Sequence, residues 1–530
     1  MPKLIPLSSA ALTRLDPQVA VPGYDRDQAQ VGIVHFGVGA FHRAHQAAYL
    51  DDVISGGAST WGICGVGVLP HDRAIADVLR AQDGLYTLLT VDPTGTTTAR
   101  VIGSHLLHLH APDDPYAVLN ILIDPATRIV SLTITEGGYS INDATGAFDP
   151  HDAQTLADLA HPTGVDSPAG GAGRANLTGV ESSAAAAPPS SVLGFVVTAL
   201  AARRAAGTDP FSIVSCDNIQ GNGHVARAAV TGFAERVDPD LAAWIGRYAA
   251  FPSSMVDRIT PATTATVSAA AANYGIDDGW PVRSEAFTQW VLEDTFSAGR
   301  PPLETVGVQL VADVAPYELM KLRLLNASHQ VMSYLGLLAG YTYVHDVCRD
   351  PDFTPFLLDY MHHEAIPTLD PVPGINLDDY CTQLIERFSS DAILDTLARQ
   401  TADGSDRIPK FVLPVIRAQL AAGGDIARAT LALAAWSLYL DDTIAAHAST
   451  PSTGGAGDAT VPVDRRLDAL RAAAAAERAQ PGAFLDQPDV FGDLARDPVL
   501  RAAFTGARAQ LIDVGARAAV IALTREETLR

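Results

Sequence analysis

Residues 31–37, VGIVHFG, form a continuous apolar run that stops on a glycine, and Gly37-Val38-Gly39 leads at once into AFHRAHQAAYLDD. A buried strand, a Gly-x-Gly turn and a helix start, in that order, let a backbone approach a pyrophosphate closely. Such an opening favours a parallel sheet, because the helix carries the chain across before the next strand pairs. His42 stands where the usual fingerprint has its third glycine. The motif alone is therefore weak, and a strand-to-helix turn with no ligand would leave the same trace.

Later segments repeat the pattern. Residues 61–68 (WGICGVGV), 128–135 (RIVSLTIT) and 211–217 (FSIVSCD) read as further buried strands, with helical stretches such as DRAIADVLRAQ between them. Strands alternating with helices predict an α/β fold with a doubly wound parallel sheet. Past about residue 300 the apolar residues recur with helical period, so the second half reads as mostly α-helical. The expected division is a dinucleotide-binding domain over 1–300 and a helical substrate domain over 301–530. Residues 160–191 and 449–462, rich in Ala, Gly, Ser and Pro, carry too little apolar surface to order themselves and are expected to be surface insertions.

Composition excludes several classes of function. The 60 acidic against 36 basic residues leave a net charge of −24, and no Lys/Arg-rich run concentrates positive charge for nucleic acid or an anionic membrane. The longest apolar stretches, such as residues 192–202, fall short of the roughly 20 residues needed to span a bilayer. The N-terminal segment lacks a clear cleavage site, so a cytoplasmic protein is expected. Cys64, Cys216, Cys348 and Cys381 are far apart and form no metal or disulfide pattern. His362-His363-Glu364 lacks metalloprotease spacing and reads as a solvated helix end, so no metal is expected.

The most informative stretch is VADVAPYELMKLRLLNASHQVMSYLGLLAGY, residues 311–341. It reads as a helix starting after Pro316, and at about 100° per residue Glu318, Lys321, Asn326 and His329 project within about 140° of one another. The flanking LRLL and YLGLL are too apolar for an exposed helix, and a buried acid, amine, amide and imidazole are costly unless paired or working. The set suits one task. A buried lysine with a lowered pKa takes the proton of a secondary alcohol, an amide bonds the developing alkoxide, and an imidazole holds a neighbouring hydroxyl. Glu318, one turn earlier, passes the proton on to solvent.

Elsewhere, Asp72 follows the second strand where dinucleotide folds place an acid for the adenosine ribose, favouring NAD. Arg73 beside it would suit the 2′-phosphate of NADP instead, and Asp72 also suits a helix cap. Asn218, in SCDNIQGNG, and Glu136, in TITEGGY, each end a strand. Asp257 and Arg258 stand together in FPSSMVDRITP, where an ordinary ion pair would look the same. Arg399 and Arg407 lie in ARQTADGSDRIPKF.

Taken together, IVHFGVGAFHRAHQAAYLDD, TITEGGY, SCDNIQGNG, FPSSMVDRITPATT, PYELMKLRLLNASHQ and DGSDRIPKF resemble the successive signatures of the polyol-specific long-chain dehydrogenases. The resemblance runs from about residue 28 to the C-terminus apart from the two insertions. It implies a Rossmann-type N-terminal domain, a mostly helical C-terminal domain, and NAD-dependent, zinc-independent oxidation of a polyol to a ketose, with mannitol and fructose ahead of arabinitol, sorbitol, fructuronate or mannonate. Lys321 is then the expected base, Asn218 and Asn326 the oxyanion hole, and Glu318 the proton gate. His329, Asp257, Arg399 and Arg407 are expected to hold substrate, and Gly37, Val38, Gly39, Asp72 and Glu136 the cofactor. Arg407 departs from the lysine expected there, which keeps the charge but changes the donor geometry. The resemblance also implies a monomer. A polyol-binding sensor without chemistry is the competing class, but it would have no use for a buried lysine.

Overall fold

The computed structural model of the chain describes residues 4–142, 145–161, 187–441 and 462–528. Most of the expected insertion at 160–191, and all but the last residue of that at 449–462, lie outside the described residues. The chain forms two compact units, residues 1–92 with 96–315, and residues 93–95 with 316–530.

The first unit is built on five parallel strands: β1 (Gln30–Phe36), β2 (Trp61–Gly67), β3 (His105–His110), β4 (Ile129–Leu132) and β5 (Ser212–Ser215), in the order β3-β2-β1-β4-β5. This is the order of a doubly wound dinucleotide fold. Alternate side chains point to opposite faces, so Val34, Phe36, Val66, Val130 and Ile213 pack on one side with the helix Val192–Ala206. Ile63, Ile129 and Val214 face the other side.

Three differences from the sequence reading have physical causes. Strand β3 reads HLLHLH, and its histidines mimic a half-exposed strand although His105 is fully buried and His108 and His110 nearly so. The helix expected after the glycine turn is broken into α1 (Ala40–Ala44) and α2 (Gln46–Ser55) at His45, whose φ of −117° and ψ of −87° leave the helical region. Its Nε2 lies 2.9 Å from the carbonyl of Gln289. The first unit runs to residue 315 rather than ending near 300, because Gln309–Val311 still pairs in parallel with Gln289–Glu293.

The second unit is helical. Asp313 accepts from the amide of Ala315 at 2.9 Å and starts the helix α3 (Ala315–Met320). Lys321–Asn326 then forms a π-helix, and α4 (Ala327–Leu338) continues in ordinary register. Tyr334 of α4 packs against Trp436 of α5 (Ala427–Tyr439). No helix among the described residues is long and apolar enough to cross a membrane.

Candidate active site

The candidate residues divide between the two units. In the first, β1 delivers Gly37 with φ +89°, and a Cβ there would lie 2.0 Å from the carbonyl oxygen of Thr133. Only glycine fits such a position. At Gly39 the nearest atom to an added Cβ is 3.9 Å away, so the turn leaves open the space a pyrophosphate would approach. Val38, between them, is buried. A side-chain clasp fixes the turn from below. Thr133 Oγ1 donates to the Gly37 carbonyl at 2.6 Å, and His35 Nε2 lies 3.0 Å from Thr133 Oγ1 and 3.2 Å from the Gly37 carbonyl. His35 Nδ1 reaches Ser131 Oγ at 2.8 Å, and its ring stacks on His42 at 3.4 Å between centroids. Burial holds His35 down to about 3 and the His42 imidazole well below its usual range, so both are neutral.

Asp72 precedes the helix Arg73–Ala81 but makes no side-chain cap bond to it; its Oδ2 reaches back across the turn to accept from Leu69 N at 2.9 Å, and its Cβ lies against Gly67 at the end of β2. Arg73 pairs with Asp113. Beyond β4, Thr135 has φ +62°, unusual for a β-branched residue, and exposed Glu136 opens a short 3₁₀ turn. Asp217, just before exposed Asn218, stabilises that strained segment by accepting from Ile134 N at 3.0 Å, Thr135 N at 2.9 Å and Tyr139 Oη at 2.6 Å. Asp217 stands inside the SCDNIQGNG motif, and only these contacts distinguish it from its neighbours. Asp257 is buried on the strand Ser254–Asp257, whereas Arg258 turns its guanidinium to the backbone carbonyls of Glu285 and Ala44.

In the second unit, Glu318, Lys321 and His329 are buried and share one helical run. The π register changes their geometry. Five residues at about 82° each, instead of 100°, narrow the spread of Glu318, Lys321, Asn326 and His329 from about 140° to about 70°. The four side chains are thus better aligned than a regular helix would make them. Asn326 Oδ1 and His329 Nε2 are buried and have no hydrogen-bond partner among the described residues. Buried polar atoms left in this way cost stability unless a bound group meets them. Burial holds the His329 imidazole down to about 4, against the pull of Asp395, and its ring packs on Phe388 at 4.4 Å.

Arg399 is held in a two-pronged pair with Asp395, at 2.7 and 2.8 Å. Arg407 Nη1 donates to the carbonyl of Gln400 at 3.2 Å, and the same carbonyl accepts from Gln330 Nε2 of α4 at 2.9 Å. One backbone group therefore ties both arginine-bearing turns to the helix of Lys321. The solvated reading of His362-His363-Glu364 is corrected: Glu364 is fully buried in a second π-helix, Tyr360–Ala365. Its carboxylate accepts from the amides of Arg428 and Ala429 at 2.6 and 2.9 Å, capping α5. All four cysteines are buried and unpaired. Among the described residues, no group of three or more His, Cys, Asp or Glu could hold a metal ion.

A doubly wound sheet with a glycine turn at its first strand, followed by a helical unit bearing a buried lysine, defines the class as a Rossmann-type dehydrogenase with a helical second domain. Comparison with known proteins narrows this. Residues 31–305 match the mannitol dehydrogenase Rossmann domain and residues 313–512 the mannitol dehydrogenase C-terminal domain. A mannitol 2-dehydrogenase of Phaeosphaeria nodorum is 44% identical over 83% of this chain and 74% of its own length. A polyol:NADP oxidoreductase of Gluconobacter oxydans is 43% identical over 81% of this chain and 84% of its own. The solved structure of Pseudomonas fluorescens mannitol 2-dehydrogenase with NAD and D-mannitol is similar with a TM-score of 0.82 at 40% identity, covering 98% of this chain and 100% of that one. The chain belongs to the mannitol dehydrogenase family.

Proposed function

We propose that this polyol dehydrogenase interconverts D-mannitol and D-fructose with NAD, as a cytoplasmic monomer. The carrying observation is the π-helix face, where a buried lysine is aligned with an amide and an imidazole whose Oδ1 and Nε2 have no hydrogen-bond partner among the described residues. A polyol offers vicinal hydroxyls at a spacing that such a row of polar atoms can bind. NAD, when bound, supplies the hydride acceptor. As the base, Lys321 Nζ receives the proton of the carbinol hydroxyl, and Glu318 passes that proton to solvent. Asn326 accepts from a substrate hydroxyl at Oδ1 and donates from Nδ2 to the oxygen that becomes negative. His329, neutral at pH 7 because of its burial, bonds the adjacent hydroxyl without adding charge. Arg399 and Arg407 keep N–H donors beyond those engaged by Asp395 and Gln400, and these serve further hydroxyls. Asn218, Asp257 and Glu136 keep the roles that the family pattern gives them.

NAD is preferred over NADP on two grounds. The Asp72 carboxylate at the end of β2 would repel a 2′-phosphate, and the charge of Arg73 is already engaged by Asp113. The test follows NADH absorbance with purified protein and mannitol, arabinitol, sorbitol, fructose and fructuronate, with NADP in parallel. Mannitol with NAD, and fructose with NADH, should give the highest kcat/KM. Preference for another polyol would move the substrate, and silence across the panel would favour a binding protein.

A further inference from the structure

The π turn that aligns Lys321 with Asn326 needs something to hold it. An α-helix interrupted by i→i+5 bonds is less stable than the regular form and persists only where its surroundings compensate. The last wide bond runs from Ala327 N to the Leu322 carbonyl. When the ladder returns to i→i+4 spacing in α4, one carbonyl of the turn is left without its helical donor, and Arg323, next after Leu322, is the one a side chain reaches. A buried carbonyl without a donor is costly. The hydroxyl of Tyr360 lies 3.3 Å from that oxygen and donates to it.

Tyr360 is fully buried and opens the second π-helix, Tyr360–Ala365. That segment is itself anchored by Glu364 on the amides that start α5, and by Gln419 Nε2, which donates to the carbonyls of His363 and Glu364. The phenol is therefore presented from a fixed frame. Burial also keeps it protonated and able to donate at any working pH.

We propose that Tyr360 is a positioning residue for the reaction: its hydroxyl occupies the carbonyl left over at Arg323 and so holds Lys321, Asn326 and His329 in π register. The proposal rests on the reading of Lys321 as the base. Without the hydroxyl the segment gains by slipping towards α register, which turns Asn326 and His329 away from Lys321 while leaving every reacting group present.

The variant Tyr360→Phe removes one oxygen and keeps the packing. With the full-length protein, NADH affinity should stay within about twofold of wild type, while kcat falls about tenfold to a hundredfold, the range a small misplacement produces, and polyol KM rises as His329 leaves the hydroxyl it holds. The pH profile of kcat should shift as the surroundings of the base change, and the loss should persist well below the melting temperature. Unchanged kcat and an unchanged pH profile would overturn the proposal. So would a joint fall in kcat, NADH affinity and stability that is relieved by cooling, because that describes packing and not positioning. Wild-type protein without activity towards any polyol would instead overturn the underlying assignment of Lys321, and the role of Tyr360 with it.

Discussion

Acid should unfold the first unit early, and the buried imidazoles beneath its glycine turn set the size of the effect. His35, His42, His105 and His108 are at most 4% exposed. Burial is the first cause of each depression, holding His35 down to about 3, His108 to about 4, and His42 and His105 well below the usual value. Neighbouring cations add to it: Arg43 opposes charge on His42, His105 and His108, and Arg80 on His108. Because the folded values lie below the unfolded one, the stability these groups contribute is present above about pH 6.5 and is lost as pH falls towards their folded values. At pH 5 each unfolded histidine gains about 2 kcal/mol from protonation that its folded counterpart cannot, or about 8 kcal/mol for four. That is comparable with the whole stability of a typical domain, about 5–15 kcal/mol. Four of the five tryptophans, Trp61, Trp244, Trp280 and Trp290, lie in the first unit, so their fluorescence follows it selectively during urea unfolding between pH 8 and 5. The midpoint should hold from pH 8 to 7 and then drop steeply. His108 is the best control, since both of its ring nitrogens lack hydrogen-bond partners among the described residues. His108→Leu should recover about 2 kcal/mol at pH 5 and little at pH 8. A midpoint flat to pH 5, or an unaltered pH dependence in the variant, would refute the reasoning.

Three further outcomes are expected. Lys321→Ala should retain NADH affinity but lose turnover by at least about a thousandfold, as removal of a general base does; an active variant in steady-state assays would take the base role from Lys321. Asp72→Ala should raise the NADP-to-NAD ratio of kcat/KM and, through the lost bond to Leu69 N, lower stability by about 1 kcal/mol, read by cofactor titration and thermal melts; an unchanged ratio leaves Asp72 only its bond across the turn. In the second unit, burial pushes the Glu364 carboxyl up to about 8 despite the amides it accepts from. The folded value lies above the unfolded one, so its stability contribution is fully present below about pH 4.5 and is lost as pH rises towards 8. Glu364→Gln should therefore flatten the pH dependence of the second unit's melting between pH 5 and 8, and an unchanged slope would place that dependence elsewhere.

The strands β1, β2, β4 and β5 are legible because buried parallel strands read as near-continuous apolar runs. Strand β3 is not, since three histidines that the fold keeps buried look like a polar face. The residue types of the candidate site are equally legible: an acid, an amine, an amide and an imidazole in an apolar helix stand out by their cost. Their mutual angle is not. Helical periodicity assumes one bond pattern throughout, and a π turn adds a residue without any marker of its own between Lys321 and Asn326. Glu364 misleads for a related reason, because HHE reads as a solvated end until the amides of Arg428 and Ala429 are seen to need its carboxylate.

A single pattern connects these gaps. The glycine turn, the Thr135 segment and the π turn are all places where the backbone departs from a regular ladder. In each, a side chain distant in sequence bonds the backbone there: Thr133 on the Gly37 carbonyl, Asp217 on the amides of Ile134 and Thr135, and Tyr360 on the Arg323 carbonyl. Local irregularity of this kind costs stability and survives only when its surroundings compensate. The compensating residue carries no motif visible near the feature it supports. Reading a sequence for site residues therefore finds the groups that touch ligands before it finds those that hold them, and the second set emerges only by asking, for every interrupted ladder, which donor or acceptor completes it.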